Sequence, residues 1–207
     1  HLFVDKKRKF IIYLFVFIFL STQNKIGTNA KEHSLLKIKK IEVSGLSNKN
    51  NFKLYEELKP LLNKNIFFIN KKSFQNILSK NNLIENFYIQ KNYPNLIKIN
   101  IKKTDLLALT ILEDKKFFIG SNEKLISFEQ FPNYNKNLPY VFGKVSNKKF
   151  IELKKIIDKS NFNFEDISSF YFFQSNRWDI KMNDGALIKL PHKNLSQALK
   201  IVHMIQS

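Results

Sequence analysis

Residues Leu83 to Asp105 read LIENFYIQKNYPNLIKINIKKTD, and this stretch decides the fold. Ile97, Ile99 and Ile101 alternate with Lys98, Asn100 and Lys102, the period-two pattern of a strand with one buried and one solvated face. Phe87 to Lys91 forms a second alternating run, and Tyr93-Pro94-Asn95 between the two supplies a turn, so the spacing predicts a hairpin. Upstream, Asn70 is placed to cap a helix carrying Phe74, Ile77 and Leu78 on one face, which Asn81-Asn82 stops. Before it, Asn51 is expected to cap a helix with Leu54, Leu58, Leu61 and Leu62 on one face, kinked or ended by Pro60. Ile38 to Val43 reads as a strand that turns at Ser44-Gly45. The order is strand, helix, helix, strand, strand.

From about Asp105 the pattern changes to short strands. Leu106 to Leu112 and Phe117 to Gly120 flank a charged turn at Glu113 to Lys116, and Lys124 to Phe128 follows Ser121-Asn122, which reads as antiparallel sheet. A helix is predicted over Lys148 to Lys159, with Asn147 as its cap and Phe150, Leu153 and Ile157 inward; Ser160 to Phe164 breaks it. Ser169 to Phe173, Trp178 to Met182 and Ala186 to Leu190 form a meander whose last turn carries Asp184-Gly185, with Trp178, Ile180 and Met182 facing the core. Asn194 is expected to cap a closing helix with Leu195, Ala198, Leu199 and Val202 on one stripe. The class is α+β.

The 207 residues carry 43% hydrophobic and 14% aromatic side chains, enough to fold, and no cysteine, which removes disulfides, thiolate nucleophiles and cysteine-ligated metals. A net charge of +18 invites a phosphate-binding reading, but Arg8 and Arg177 are the only arginines, and Lys, Asn, Ile and Phe are inflated together. That composition is what an AT-rich genome writes, and a solvated lysine surface accounts for it.

Lys6-Lys7-Arg8-Lys9 precedes an uncharged apolar run made of Phe10, Ile11, Ile12, Tyr13, Leu14, Phe15, Val16, Phe17, Ile18, Phe19 and Leu20. Its strictly apolar length, about eleven residues, is short of the ~20 of a full span and fits a signal-peptide core, with Thr28 and Ala30 spaced as a cleavage site. Ser21, Thr22 and Gln23 can instead extend a tilted span into the interface, and a retained anchor is the reading preferred here. The basic cluster then stays cytoplasmic and the rest of the chain crosses the membrane.

Catalytic patterns are absent. His1, His33, His192 and His203 have no ligand spacing, and Glu56-Glu57 and Glu165-Asp166 are adjacent acids that point to different sides of an element. No glycine-rich phosphate loop or nucleophile elbow occurs. Phe170 to Phe173 reads as a buried central strand rather than a base-stacking platform, and Trp178 as a core anchor.

Strand, helix, helix, strand, strand behind one apolar segment resembles a POTRA module, with Ile38 to Gly45 (IKKIEVSG) as its opening strand and Leu83 to Asp105 as its closing hairpin. Lys115 to Ser127 (KKFFIGSNEKLIS), Leu138 to Gly143 (LPYVFG) and Arg177 to Leu190 (RWDIKMNDGALIKL) before an amphipathic helix resemble the β domain of the FtsQ/DivIB family. The resemblance implies a basic tail at 1–9, a membrane anchor at 10–23, a linker at 24–36, a POTRA domain at 37–104 and a mixed antiparallel sheet domain with two flanking helices at 105–207. It implies a non-catalytic divisome scaffold in septum formation that links early and late division proteins, held in the inner membrane with its bulk periplasmic. Its expected partners are FtsB and FtsL, taken by strand addition, and other divisome membrane proteins; no cofactor, metal, nucleic acid or small-molecule substrate is expected. In the family pattern the capturing strand follows the closing helix, so the expectation is that it lies beyond Ser207, and His1 in place of methionine suggests the same of the other end. Ser175, Arg177, Val202 and Ile205 are the positions nearest that strand. The alternative is a POTRA-bearing protein of outer-membrane assembly or secretion.

Overall fold

A computed structural model describes residues 2–22, 35–131, 133–160 and 162–206, with the side chains of 2–7, 22, 205 and 206 outside that description. The Ile97, Ile99, Ile101 alternation becomes strand β3 (Leu96–Lys103), and all three isoleucines are buried. Strand β2 (Ile84–Asn92) runs antiparallel to it, pairing Phe87 with Ile101 and Lys91 with Ile97. On the other side β1 (Lys40–Ser44) pairs in parallel, Ile41 opposite Ile97, giving the order β1-β3-β2. Helices α2 (Asn48–Leu58) and α3 (Lys71–Leu78) cover one face, where Leu54, Leu58, Phe74 and Leu78 meet Ile38, Ile97 and Ile99. Pro60 converts the end of α2 into a 3-10 turn at Lys59–Leu61, because its ring blocks the next helical hydrogen bond.

Two caps differ from expectation by a few residues. Ser47, not Asn51, caps α2 by accepting from the Asn50 amide; Asn51 lies inside the first turn and exchanges two hydrogen bonds with the Leu46 backbone. Ser146, not Asn147, caps the next helix, and Asn147 donates to the Glu123 carbonyl instead. Serine and asparagine are near-equal caps, so adjacent candidates are not separable by residue type. Asn70 caps α3 as expected, accepting from the Ser73 amide.

The second sheet contains β4 (Leu106–Leu112), β5 (Lys115–Gly120), β6 (Leu125–Ser127), β7 (Tyr140–Phe142), β8 (Ile167–Phe172), β9 (Trp178–Met182) and β10 (Leu187–Lys189) in the order β10-β9-β8-β7-β4-β5-β6. The expected antiparallel pairings of β4 with β5, β5 with β6, β8 with β9 and β9 with β10 are present, and β7, between the two groups, runs parallel to both β4 and β8. The loop at 128–139 and helix α4 (Asn147–Asp158) are crossovers, and crossovers return strands in parallel. One face is packed by α4 and α5 (Leu195–Gln206), burying Phe150, Ile157, Phe170, Trp178, Ile180 and Leu199. The opposite face has a smaller cluster at one end, Leu83, Leu109, Phe118 and Ile126 under Phe128, Phe131 and Tyr134. Phe118 stacks on Phe128 at 5.2 Å and meets Tyr134 edge-on at 4.9 Å.

Helix α1 (Leu2–Thr22) joins the basic cluster and the apolar run in one element, and the side chains of residues 10–20 lie exposed. Among the described residues no helix is long and apolar enough to cross a membrane, since the charges at Asp5 to Lys9 leave α1 an apolar stretch of only about 16 Å at 1.5 Å per residue. Of the linker expected at 24–36, residues 24–34 lie outside the described residues, as does Gln23, so the expected cleavage positions Thr28 and Ala30 fall there too.

Candidate functional site

Strand β10 ends the larger sheet, and the hydrogen bonds across it fix which of its backbone groups are committed. The Leu190 amide donates to the Trp178 carbonyl and the Met182 amide to the Ala186 carbonyl, with Ile188 opposite Ile180 between them. In an antiparallel ladder successive residues direct their N–H and C=O to opposite sides, so Ala186, Ile188 and Leu190 face β9 while Leu187 and Lys189 face outward. Among the described residues no strand pairs with that outer side. The side chains follow the same parity: Ile188 is buried in the helix-covered core, whereas Leu187 and Lys189 are exposed on the other face.

That face leads inward from the edge across an aromatic ladder. Tyr140 stacks on Phe142 at 5.7 Å along β7, and Phe142 stacks on Tyr171 of β8 at 5.3 Å. Tyr171 pairs with Asp179 of β9, which in turn pairs with Lys189 of β10. Asp179 is 4% exposed and accepts from the Arg177 guanidinium, Nε to Oδ1 at 3.0 Å, while the same guanidinium lies 4.8 Å from the Phe173 ring. Arg177 therefore joins the open face to the β8–β9 turn.

Of the four positions singled out from the sequence, Ser175 and Arg177 sit together at that turn, which is tied to the approach to α5 by a 3.2 Å contact between His192 Nδ1 and the Asn176 carbonyl. Lys149 at the start of α4 reaches the Asn176 side chain at 2.8 Å. Val202 lies far along α5, packed against the core, near where His203 meets Phe162. The structure separates it from Ser175 and Arg177, because α4 and α5 both run away from the turn. The Ile205 side chain lies outside the described residues. Sequence reasoning missed Leu187 and Lys189; their period-two position beside Ile188 was the available signal.

A second concavity, of about 320 Å³, lies between α3 and the outer edge of β2, lined by Asn70, Lys71, Phe74, Phe87, Tyr88, Ile89 and Lys91. Its wall is apolar and it gathers no acid–base pair. Among the described residues no group of three or more metal-ligating side chains occurs. The resolved ionisation shifts lie away from both places. Hydrogen bonding from Lys40, with Lys98 beyond, holds the Glu42 carboxyl below its ordinary value; Glu56 raises Lys59; burial raises the Tyr134 phenol.

The family described as "POTRA domain, FtsQ-type" matches residues 36–103. A cell division protein FtsQ of Rickettsia bellii is 26% identical over 168 residues, 80% of this chain and 61% of that protein. The FtsQ of Rickettsia felis is 24% identical over 200 residues, 92% of this chain and 72% of that protein. The extracytoplasmic domain of the division protein DivIB from Geobacillus stearothermophilus, in its trans isomer, aligns with a TM-score of 0.36 at 14% identity, covering 47% of this chain and 87% of that one. The chain thus spans about three-fifths of the R. bellii relative, 61% of its length. It carries an FtsQ-type POTRA module at 36–103 and is similar, through the second sheet, to FtsQ cell-division proteins.

Proposed function

We propose that this protein is a non-catalytic scaffold of the division machinery, held in the inner membrane by the apolar run at 10–23, which captures the FtsB/FtsL pair by strand addition at the β10 side of the larger sheet, the side on which a strand following α5 would lie. The observation that carries the reading is the outward-facing backbone of Leu187 and Lys189, an edge unpaired among the described residues that offers an added strand its main-chain hydrogen bonds. The open face beside it, with Leu187, Arg177 and Tyr171, supplies side-chain selectivity. For α1, support comes from the exposed apolar residues 10–20 behind four consecutive basic residues, which the positive-inside rule keeps cytoplasmic, leaving the two sheets in the periplasm. Other divisome membrane proteins are further partners in this reading.

The test is binding of the full chain to the FtsB/FtsL complex with Lys189→Pro and Leu187→Ala variants. Proline at 189 removes an outward N–H and takes no bond from β9, so it should weaken binding by about tenfold or more, with a smaller effect from Leu187→Ala. A circular dichroism spectrum confirms that the sheet is intact. Unchanged affinity in a folded Lys189→Pro protein would exclude this edge as the capture site.

A further inference from the structure

The end of the three-stranded domain at which the chain enters from α1 carries a cluster of rings that no packing requirement explains. Leu36 to Ile38 runs beside Asn63 to Ile66, joined by bonds from the Ile66 amide to the Leu36 carbonyl and from the Ile38 amide to the Lys64 carbonyl. The Lys39 amide donates to Asn95 in the β2–β3 turn at 2.9 Å, so the entry segment, the loop before α3 and the hairpin turn meet at one end. Phe67 and Tyr93 stack there at 4.8 Å, and both are 55% exposed; Phe68 beside them is 85% exposed and Leu35 53%. Lys91 fixes the loop beneath the rings, its Nζ donating to the Ile69 carbonyl at 2.7 Å and the Phe67 carbonyl at 3.4 Å.

The described segments that form this end carry charge of one sign. Segments 35–41, 62–70 and 90–97 contain no Asp or Glu, while Lys37, Lys39 and Lys64 are exposed among them. The next acid along β1, Glu42, is already paired with Lys40 and Lys98. Twelve residues, 23–34, separate this end from α1, a tether of at most about 43 Å when fully extended. Exposed rings held rigidly in a lysine surround match the boundary between headgroups and acyl chains, where aromatic side chains partition and lysine meets anionic phosphate.

We propose that this end, through Phe67, Phe68 and Tyr93 with Lys37, Lys39 and Lys64, beds on the anionic headgroup layer of the membrane and sets the height and tilt of the periplasmic sheets. The inference rests on the anchored orientation argued above. It is tested by reconstituting the full chain with Phe68→Trp into phosphatidylcholine vesicles containing phosphatidylglycerol, with and without bromine on the upper acyl carbons. Trp178, the one native tryptophan, is 4% exposed in the core of the other sheet and serves as the unquenched reference. The emission added by Trp at 68 should be blue-shifted and quenched about twofold or more by bromolipid, less so when phosphatidylglycerol is omitted or when Lys37, Lys39 and Lys64 are changed to Glu. A chain that floats with the vesicles but shows unquenched, water-like emission at 68 overturns this proposal and leaves the anchor standing. A chain that does not float overturns the anchor itself, and quenching indifferent to phosphatidylglycerol removes the anionic lipid from the proposal.

Discussion

Glu42 lies on β1 with Lys40 2.7 Å away along the strand and Lys98 3.6 Å away across the ladder on β3. Hydrogen bonding from Lys40 lowers its folded pKa, so the unfolded chain binds a proton more readily in mild acid and stability rises with pH there. The contribution is complete above the unfolded value and disappears as the pH falls through the folded one. Glu42→Gln should therefore lower the urea midpoint at neutral pH and leave it nearly unchanged in acid below the folded pKa of Glu42, flattening the acid limb. A variant with the wild-type acid slope would show that Glu42 carries none of it. Single residues were legible where their role is periodic or steric: Ile97, Ile99, Ile101, Pro60 and Trp178 act as read. Roles that depend on which of two similar neighbours wins a local bond were not, as Ser47 against Asn51 and Ser146 against Asn147 show.

At the scale of elements, the strand that sequence patterning did not yield is β7. Its three residues, Tyr140–Phe142, are too short for a period and take their place from parallel pairing with Thr110 and Phe170, both distant in sequence. Gly143 lets β7 end against β8: its φ is +101°, and a Cβ there would collide with the Phe172 carbonyl oxygen. Gly185, in the β9–β10 turn, has φ +93° with open space around it. Gly143→Ala combines a left-handed backbone with a main-chain clash and should cost about 3 kcal/mol, against about 1 kcal/mol for Gly185→Ala, read from denaturant midpoints. Equal costs would mean that β7 and β8 separate easily, and that the central parallel pair is not a rigid part of the sheet. The candidate edge at β10 was only half legible: the Asp184-Gly185 hairpin was, but its position at the end of the sheet follows from strand order, which local sequence does not encode.

Across the whole molecule, the two sheets are joined by more than the short link between β3 and β4. Leu83 precedes β2 in the first module, yet its side chain belongs to the cluster of Phe118 and Ile126 in the second. Asn122 donates to the Asn82 and Ile84 carbonyls, both at 2.9 Å; Asn82 donates back to Leu125, and Lys124 reaches the Ser79 carbonyl at 2.6 Å. Thr104 and Ser121 hydroxyls add a contact at 3.0 Å. A junction of this kind transmits the orientation of one sheet to the other, so a surface set at the entry end would fix where β10 is presented. Unfolding should then be one transition, with Trp178 fluorescence, which reports only the larger sheet, coinciding with far-ultraviolet dichroism, which reports both. Asn122→Ala with Lys124→Ala removes the donors, leaves four carbonyls without them and costs about 2–4 kcal/mol at the junction, enough to uncouple two marginal units. The double variant should separate the two probes along the denaturant axis while Trp178 keeps its native emission before unfolding. Coincident curves in that variant would place the coupling in the Leu83–Phe118 packing instead, and curves already separate in the unaltered protein would mean the sheets fold independently and that β10 is free to reorient about the β3–β4 link.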